Sequence, residues 1–240
     1  MFKKFAITLV FCSLLTPFVV ANENNESIIT TDAVINREVA PDTAKIRFMV
    51  DNSGINLATI KEKNDKIVND AITAIKAALN QDESIKTIAF NVRNIYSYKD
   101  KVRVFQKYAV SNGFEVKLKD LDKISKVINL AMEHGVKNVS GINFIIEDSE
   151  SVCNQMMADA IKIGKKRIQH LSMAAGTSLD KPKSINPYCS LSSNNTQPRF
   201  NKAYSNSLED SVASGTQNFE TIEPGTINVR ASVNMVYYLK

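Results

Sequence analysis

The chain has 240 residues, 44% hydrophobic and 23% charged, with a formal net charge of +5. That apolar content suffices for a core in one domain or two coupled halves, and it excludes a scaffold held mainly by disulfides. The charge is modest, and Lys3 and Lys4 lie in a segment expected to be removed, so nucleic-acid binding is not expected.

In chain order, Lys3 and Lys4 precede an apolar run from Phe5 to Leu15, and Val19-Val20-Ala21 offers a small-residue cleavage site. Residues 1–21 therefore read as a signal peptide, with a mature chain from Asn22 in the periplasm or outside the cell. The run is short for a membrane span, and Pro17 follows it. Bulky Phe11 before Cys12 argues against lipidation. No second long apolar run occurs, so the mature chain is expected to lack a transmembrane segment.

Residues 22–27 are polar and read as a lead-in. Ile28 to Val39 reads as a strand, Pro41-Asp42 as a turn, and Ala44, Ile46, Phe48 and Val50 alternate as a second strand ending at Gly54. Asn56 caps a helix expected to run to Asn80, with Ile60, Ile67, Val68, Ala71, Ile75 and Ala78 on its apolar face. Period 2 returns from Lys86 to Tyr98, placing Ile88, Phe90, Val92, Tyr96 and Tyr98 on one face. Lys99-Asp100-Lys101 then turns the chain into a hairpin partner.

The clearest unit runs from Tyr108 to Asp148. Tyr108, Val110, Phe114, Val116 and Leu118 alternate as a strand, and Asp120 caps a helix carrying Leu121, Ile124, Val127, Ile128, Ala131 and Met132. Gly135 closes that helix, and Ile142, Phe144 and Ile146 start a new strand. A third helix is expected from Asp148 or Ser149 to Ala175, with Met156, Ala160, Gly164, Ile168 and Leu171 on one face and Gly176 as its stop. Lys165-Lys166-Arg167 reads as a solvated charge run. A strand ending near Cys189 follows. Residues 190–222 are rich in Ser, Asn and Thr and read as a long loop. Alternation from Ile227 to Leu239 makes a final strand that must pair in a sheet.

Interspersed hairpins and helices predict an α+β fold: largely antiparallel sheet, helices packed on one face, and a strand–helix–strand unit in each half of one domain over residues 22–240.

Several segments resemble the SIMPL-domain family of periplasmic oxidative-stress defence proteins. Pro41-Asp42-Thr43-Ala44 is similar to its entry into the first core strand. Tyr108 to Asn112 and Lys119 to Lys123 are similar to its central strand and helix start, and Gly135 to Phe144 to its most recognisable segment. Ala174-Ala175-Gly176 and Ile222 to Ile227 are similar to its helix end and final strand entry. Asp32 to Asn36 departs from the Gly-rich stretch often found there, and residues 190–222 match nothing in the family. The resemblance implies an exported α+β protein that forms ring-like homo-oligomers. Its link to oxidative stress is a phenotype and supplies no catalytic residue.

The residues offer little chemistry. There is no Gly-rich phosphate loop and no nucleophile elbow; Ser140 in Val139-Ser140-Gly141 reads as a strand serine. His134 falls in the last turn of a helix, His170 stands among basic and apolar residues, and neither has a ligand at metal spacing. Asp120, Asp122, Asp148 and Glu150 read as helix-start residues, and Asp42 as an Asx-turn. Cys153 near a helix start raises the alternative of a redox thiol, and whether it bridges to Cys189 is left open by the sequence. No catalytic, cofactor-binding or metal-ligating residue is assigned. The expectation is a non-enzymatic homo-oligomer needing no cofactor. The alternative is a binding module for an envelope protein, using residues 190–222.

Overall fold

The structure, a computed structural model, describes residues 26–193 and 222–240. The expected signal peptide and most of the expected 190–222 loop lie outside the described residues. The elements are β1 (Ile28–Val39), β2 (Thr43–Gly54), α1 (Leu57–Lys76), β3 (Ser84–Lys99), β4 (Val102–Leu118), α2 (Ile124–Glu133), β5 (Asn138–Ile145), α3 (Ser149–Ala174), β6 (Leu179–Ser193) and β7 (Ile227–Leu239). They form two antiparallel sheets, ordered β3-β4-β2-β5 and β1-β7-β6. The α+β expectation holds. The run from β2 to β5 has the split βαβ order, β-α-β-β-α-β, with both helices on one face.

Alternation builds the first core. Ala44, Ile46, Phe48 and Val50 of β2 and Phe114, Val116 and Leu118 of β4 point under α1 and α2, and all are essentially buried. Phe48 and Phe114 stack with ring centroids 5.0 Å apart. Asn56 caps α1 by accepting from the Thr59 amide at 3.2 Å. The helix ends at Lys76, short of the expected Asn80, because the chain tightens: the Ala78 amide donates to the Ile75 carbonyl and that of Leu79 to Lys76. The α1 face also holds a residue the apolar period skipped. Asn64 is fully buried and donates through Nδ2 to the Val50 carbonyl at 2.8 Å and to Asn52 Oδ1 at 3.0 Å, pinning the helix to β2. Past β4, Leu121–Lys123 form a single 3-10 turn before α2, and Gly135 (φ +90°) ends α2 in the left-handed region.

The second core lies between α3 and the three-stranded sheet. β7 is its middle strand, paired along its whole length with β1 and β6. Ile227, Val229, Ala231, Val233, Met235 and Tyr237 meet Met156, Ala160 and Ile168. The buried series of α3 continues to Ser172, while Leu171, expected on that face, is exposed. Gly164 sets the spacing: a Cβ there would lie 2.6 Å from Met235 Sδ. Ser190–Ser193 extend β6 rather than opening the loop, so Cys189 lies inside a strand. Pro182 and Pro187 blunt this edge strand.

Cys153 on α3 and Cys189 on β6 form a disulfide, with Cα atoms 5.7 Å apart. This settles the question of bridging. Cys153 is not the free helix-start thiol that the redox alternative required. The bridge spans 36 residues, a loop whose closure stabilises the fold by about 3–4 kcal/mol in the chain-entropy treatment.

Two outcomes follow for stability. The double substitution Cys153→Ser/Cys189→Ser should lower unfolding free energy by about 3–4 kcal/mol in urea titration. Gly164→Val should cost about 1–3 kcal/mol by overpacking against Met235, whereas Met235→Ala combined with it should recover part of that loss.

Candidate functional site

The residues singled out from the sequence do not converge. His134 is the C-cap of α2, its amide donating to the Leu130 carbonyl, and His170 is exposed on α3. Ser140 Oγ donates to the Arg47 carbonyl across β5 and β2. Asp148 caps α3 by accepting from the Ser151 amide at 3.0 Å, with Glu150 in the first turn. Asp120 accepts from the Asp122 amide. Asp42 does more than close its own turn. Its Oδ1 accepts from Thr43 Oγ1 and from the Glu147 amide, both at 2.8 Å, tying the start of β2 to the end of β5. In the charge run, Lys165 and Lys166 are exposed as expected, but Arg167 donates to the Asp32 carbonyl of β1. Among the described residues no three His, Cys, Asp or Glu side chains cluster as metal ligands.

Two surfaces stand out instead. The first is the β3–β4 hairpin. β2 accompanies β4 only as far as the Gly54–Tyr108 pair, so beyond Tyr108 the chain continues as a two-stranded ribbon. Lys99 pairs with Val102, and Asp100 (φ 51°) and Lys101 (φ 66°) make the two-residue turn in the left-handed region. The ribbon is a projecting arm rich in apolar side chains. On β3, Phe90, Val92, Tyr96 and Tyr98 share one face, as expected, the first two within the four-stranded sheet opposite Asn112 and Val110 and the last two on the ribbon. Ile88 does not, because it is the extra residue of a bulge between Thr87 and Ala89. Phe90 is 54% exposed, Val102 63% and Tyr98 76%. Tyr96 meets Phe105 edge to face and Phe105 meets Tyr108 at a tilt, and the Arg103 guanidinium lies 3.7 Å from the Tyr96 ring centre.

The second surface is the face of the four-stranded sheet turned away from α1 and α2. Glu115 of β4 is buried there although flanked by strands bearing cations. Arg47 Nε donates to its Oε2 at 2.9 Å and Lys86 Nζ to its Oε1 at 3.0 Å. Burial pushes this carboxyl up, but hydrogen bonds and charge from Arg47 and Lys86 outweigh it and hold it below the usual range. Glu147 takes Lys117 and Lys119 together. A separate buried carboxylate, Glu83, precedes β3. It accepts from the amides of Asn80 at 2.7 Å, Lys119 at 3.1 Å and Asp120 at 3.0 Å, and pairs with Lys123. Burial pushes Glu83 up, and these amides and Lys123 together bring it below its ordinary value.

Neither Glu83 nor Glu115 was singled out from the sequence. Glu115 sits at the solvent parity of β4, where a charge is unremarkable, and only the lateral pairing with Arg47 and Lys86 covers it. Glu83 lies in a polar turn, Gln81-Asp82-Glu83-Ser84, with no local sign of its long-range amides.

A family model described as SIMPL, a protein of unknown function (DUF541), matches residues 29–237. The chain is 22% identical over 206 residues to the 26 kDa periplasmic immunogenic protein of Brucella melitensis biotype 1, covering 84% of this chain and 80% of that protein. It is 21% identical over 212 residues to the uncharacterized protein YggE of Escherichia coli K12, covering 88% and 83%. No helix among the described residues is long and apolar enough to cross a membrane.

Because both carboxyls titrate below their ordinary values, their stabilisation is complete above about pH 4.3, the unfolded-state range. It is lost as pH falls through the lowered folded values. Glu83→Ala should cost about 3–5 kcal/mol at pH 7, since it leaves Lys123 and three backbone amides unpaired. The variant should also show a flatter fall in unfolding free energy between pH 5 and pH 2, read by urea titration.

Proposed function

The chain belongs to the SIMPL family, and from that membership and the exposed arm we propose that it works in the periplasm as a homo-oligomer. It acts by assembly and binding rather than by catalysis, the arm of one copy packing on the body of the next. The observation that carries this reading is the apolar ribbon beyond Tyr108. A two-stranded hairpin is marginal alone in water, and this one shows Tyr98 and Val102 to solvent. A partner that covers them supplies the missing burial.

Charge favours arm on body over arm on arm. The arm bears Lys99, Lys101, Arg103 and Lys107 against Asp100, while the whole chain sums to only +5. The rest of the chain is therefore near neutral and does not repel a neighbour's arm as a second arm would. The compartment rests on the leader-like residues 1–21 and on the printed name of the Brucella relative. The alternative contact loop, residues 190–222, has only Ser190–Ser193 and Ile222 among the described residues, and the first four are strand.

Light scattering on residues 22–240 at micromolar concentration should give a multiple of the monomer mass. A strictly monomeric chain overturns the reading. Tyr98→Asp/Val102→Asp should convert the assembly to monomer with unchanged far-UV circular dichroism, since exposed substitutions change intrinsic stability by only about 0.5 kcal/mol each.

A further inference from the structure

On the outer face of the four-stranded sheet the register sets two rows of side chains across neighbouring strands. In one, Arg47, Glu115 and Lys86 alternate in sign and satisfy one another. In the adjacent row, Lys45 stands directly opposite Lys117, with Ser84 beyond Lys117 on β3 and Asn143 beyond Lys45 on β5. Like charges directly opposed on a sheet face are destabilising. Glu147 relieves only one of the two, because its oxygens are taken by Lys117 and Lys119. Both oxygens of Glu115 are likewise engaged. Lys45 has no anionic partner among the described residues, although it is half-buried. Lys45, Ser84, Lys86 and Lys117 line one cleft of about 230 Å³ together with Glu115 and Glu147.

We propose that this cleft is a binding site for a phosphate group, seated between the ammonium groups of Lys45 and Lys117 and within reach of the Ser84 hydroxyl. The chemistry of the lining selects the ligand. A tetrahedral oxyanion has oxygens for several donors at once, and lysine binds phosphate as a point charge. A bound dianion turns the Lys45–Lys117 opposition from a repulsion into a bridge. The cleft exceeds the roughly 30 Å³ share of one water several-fold, so it admits a phosphate with a small substituent. The same group reaches the site as free phosphate, as a small phosphomonoester, or as the headgroup of an anionic lipid.

The test uses residues 22–240 and inorganic phosphate, titrated by calorimetry and thermal unfolding against chloride at equal ionic strength. Phosphate should bind saturably and raise the unfolding temperature, and chloride should not. Lys45→Gln should weaken phosphate binding at least tenfold, and its unfolding temperature in chloride should stay equal or rise, because a like-charge contact has been removed. Ser84→Ala should weaken binding to a lesser degree. Equal responses to phosphate and chloride, or equal phosphate affinity in wild type and Lys45→Gln, overturn the proposal. Sedimentation with phosphatidate vesicles, but not phosphatidylcholine vesicles, and its loss in Lys45→Gln assign the headgroup source. Phosphate binding without vesicle binding assigns the free or small-molecule source.

Discussion

The split βαβ half depends on one buried carboxylate. Glu83 gathers the amide that follows the end of α1, two amides at the exit of β4, and the ammonium of Lys123 beside α2. Lys123 also donates to the Ala78 carbonyl, so the same small network closes the orphan end of α1. Two stretches distant in sequence, 78–83 and 119–123, are thus fixed at a single point. Hydrogen bonds to a charged acceptor are the strong ones, and three of these involve backbone that has no freedom to seek another partner. β3, whose far end forms the arm, begins within a residue of this point, at Ser84.

The outer face of the same sheet is governed by a different balance. There the carboxylates are outnumbered by cations, and the register decides which cations are matched. Glu115 is shared by Arg47 and Lys86, Glu147 by Lys117 and Lys119, and Lys45 is left facing its own kind. One sheet therefore has two unlike sides: a helix-covered side that is apolar except for Asn64 and its neighbours, and an electrostatic side with a cleft. The three-stranded sheet is simpler. It is held by the α3 contact at Gly164, the disulfide and the central position of β7.

Strands and helices were legible because their periods are strong. Ile28 to Val39, the Lys99–Lys101 turn and Gly135 appear where the pattern places them. What was not legible depends on lateral register or on polar groups with remote partners. Ile88 leaves its expected face through a bulge that period 2 does not reveal. Asn64 occupies a core position because the β2 carbonyl above it needs a donor. Cys153 and Cys189 lie on elements whose approach only packing decides. The arm was readable as a hairpin but not as a projection, since its exposure follows from where β2 stops at Gly54.

The pairing of β1 with β7 has a consequence for the order in which the molecule is built. Ile28 lies opposite Tyr238 and Val39 opposite Ile227, so β1, the first of the described strands, waits for β7, the last of them. Its contacts are among the longest-range in the chain, and long-range strand pairing is slow to form. The split βαβ half, from Thr43 to Ile145, has all its strand partners within itself and can close before β7 is synthesised. Until then β1 is an unpaired strand with apolar Ile29, Ile35 and Val39, an edge open to mispairing with other chains. The three-stranded sheet therefore cannot close before β7 is in place.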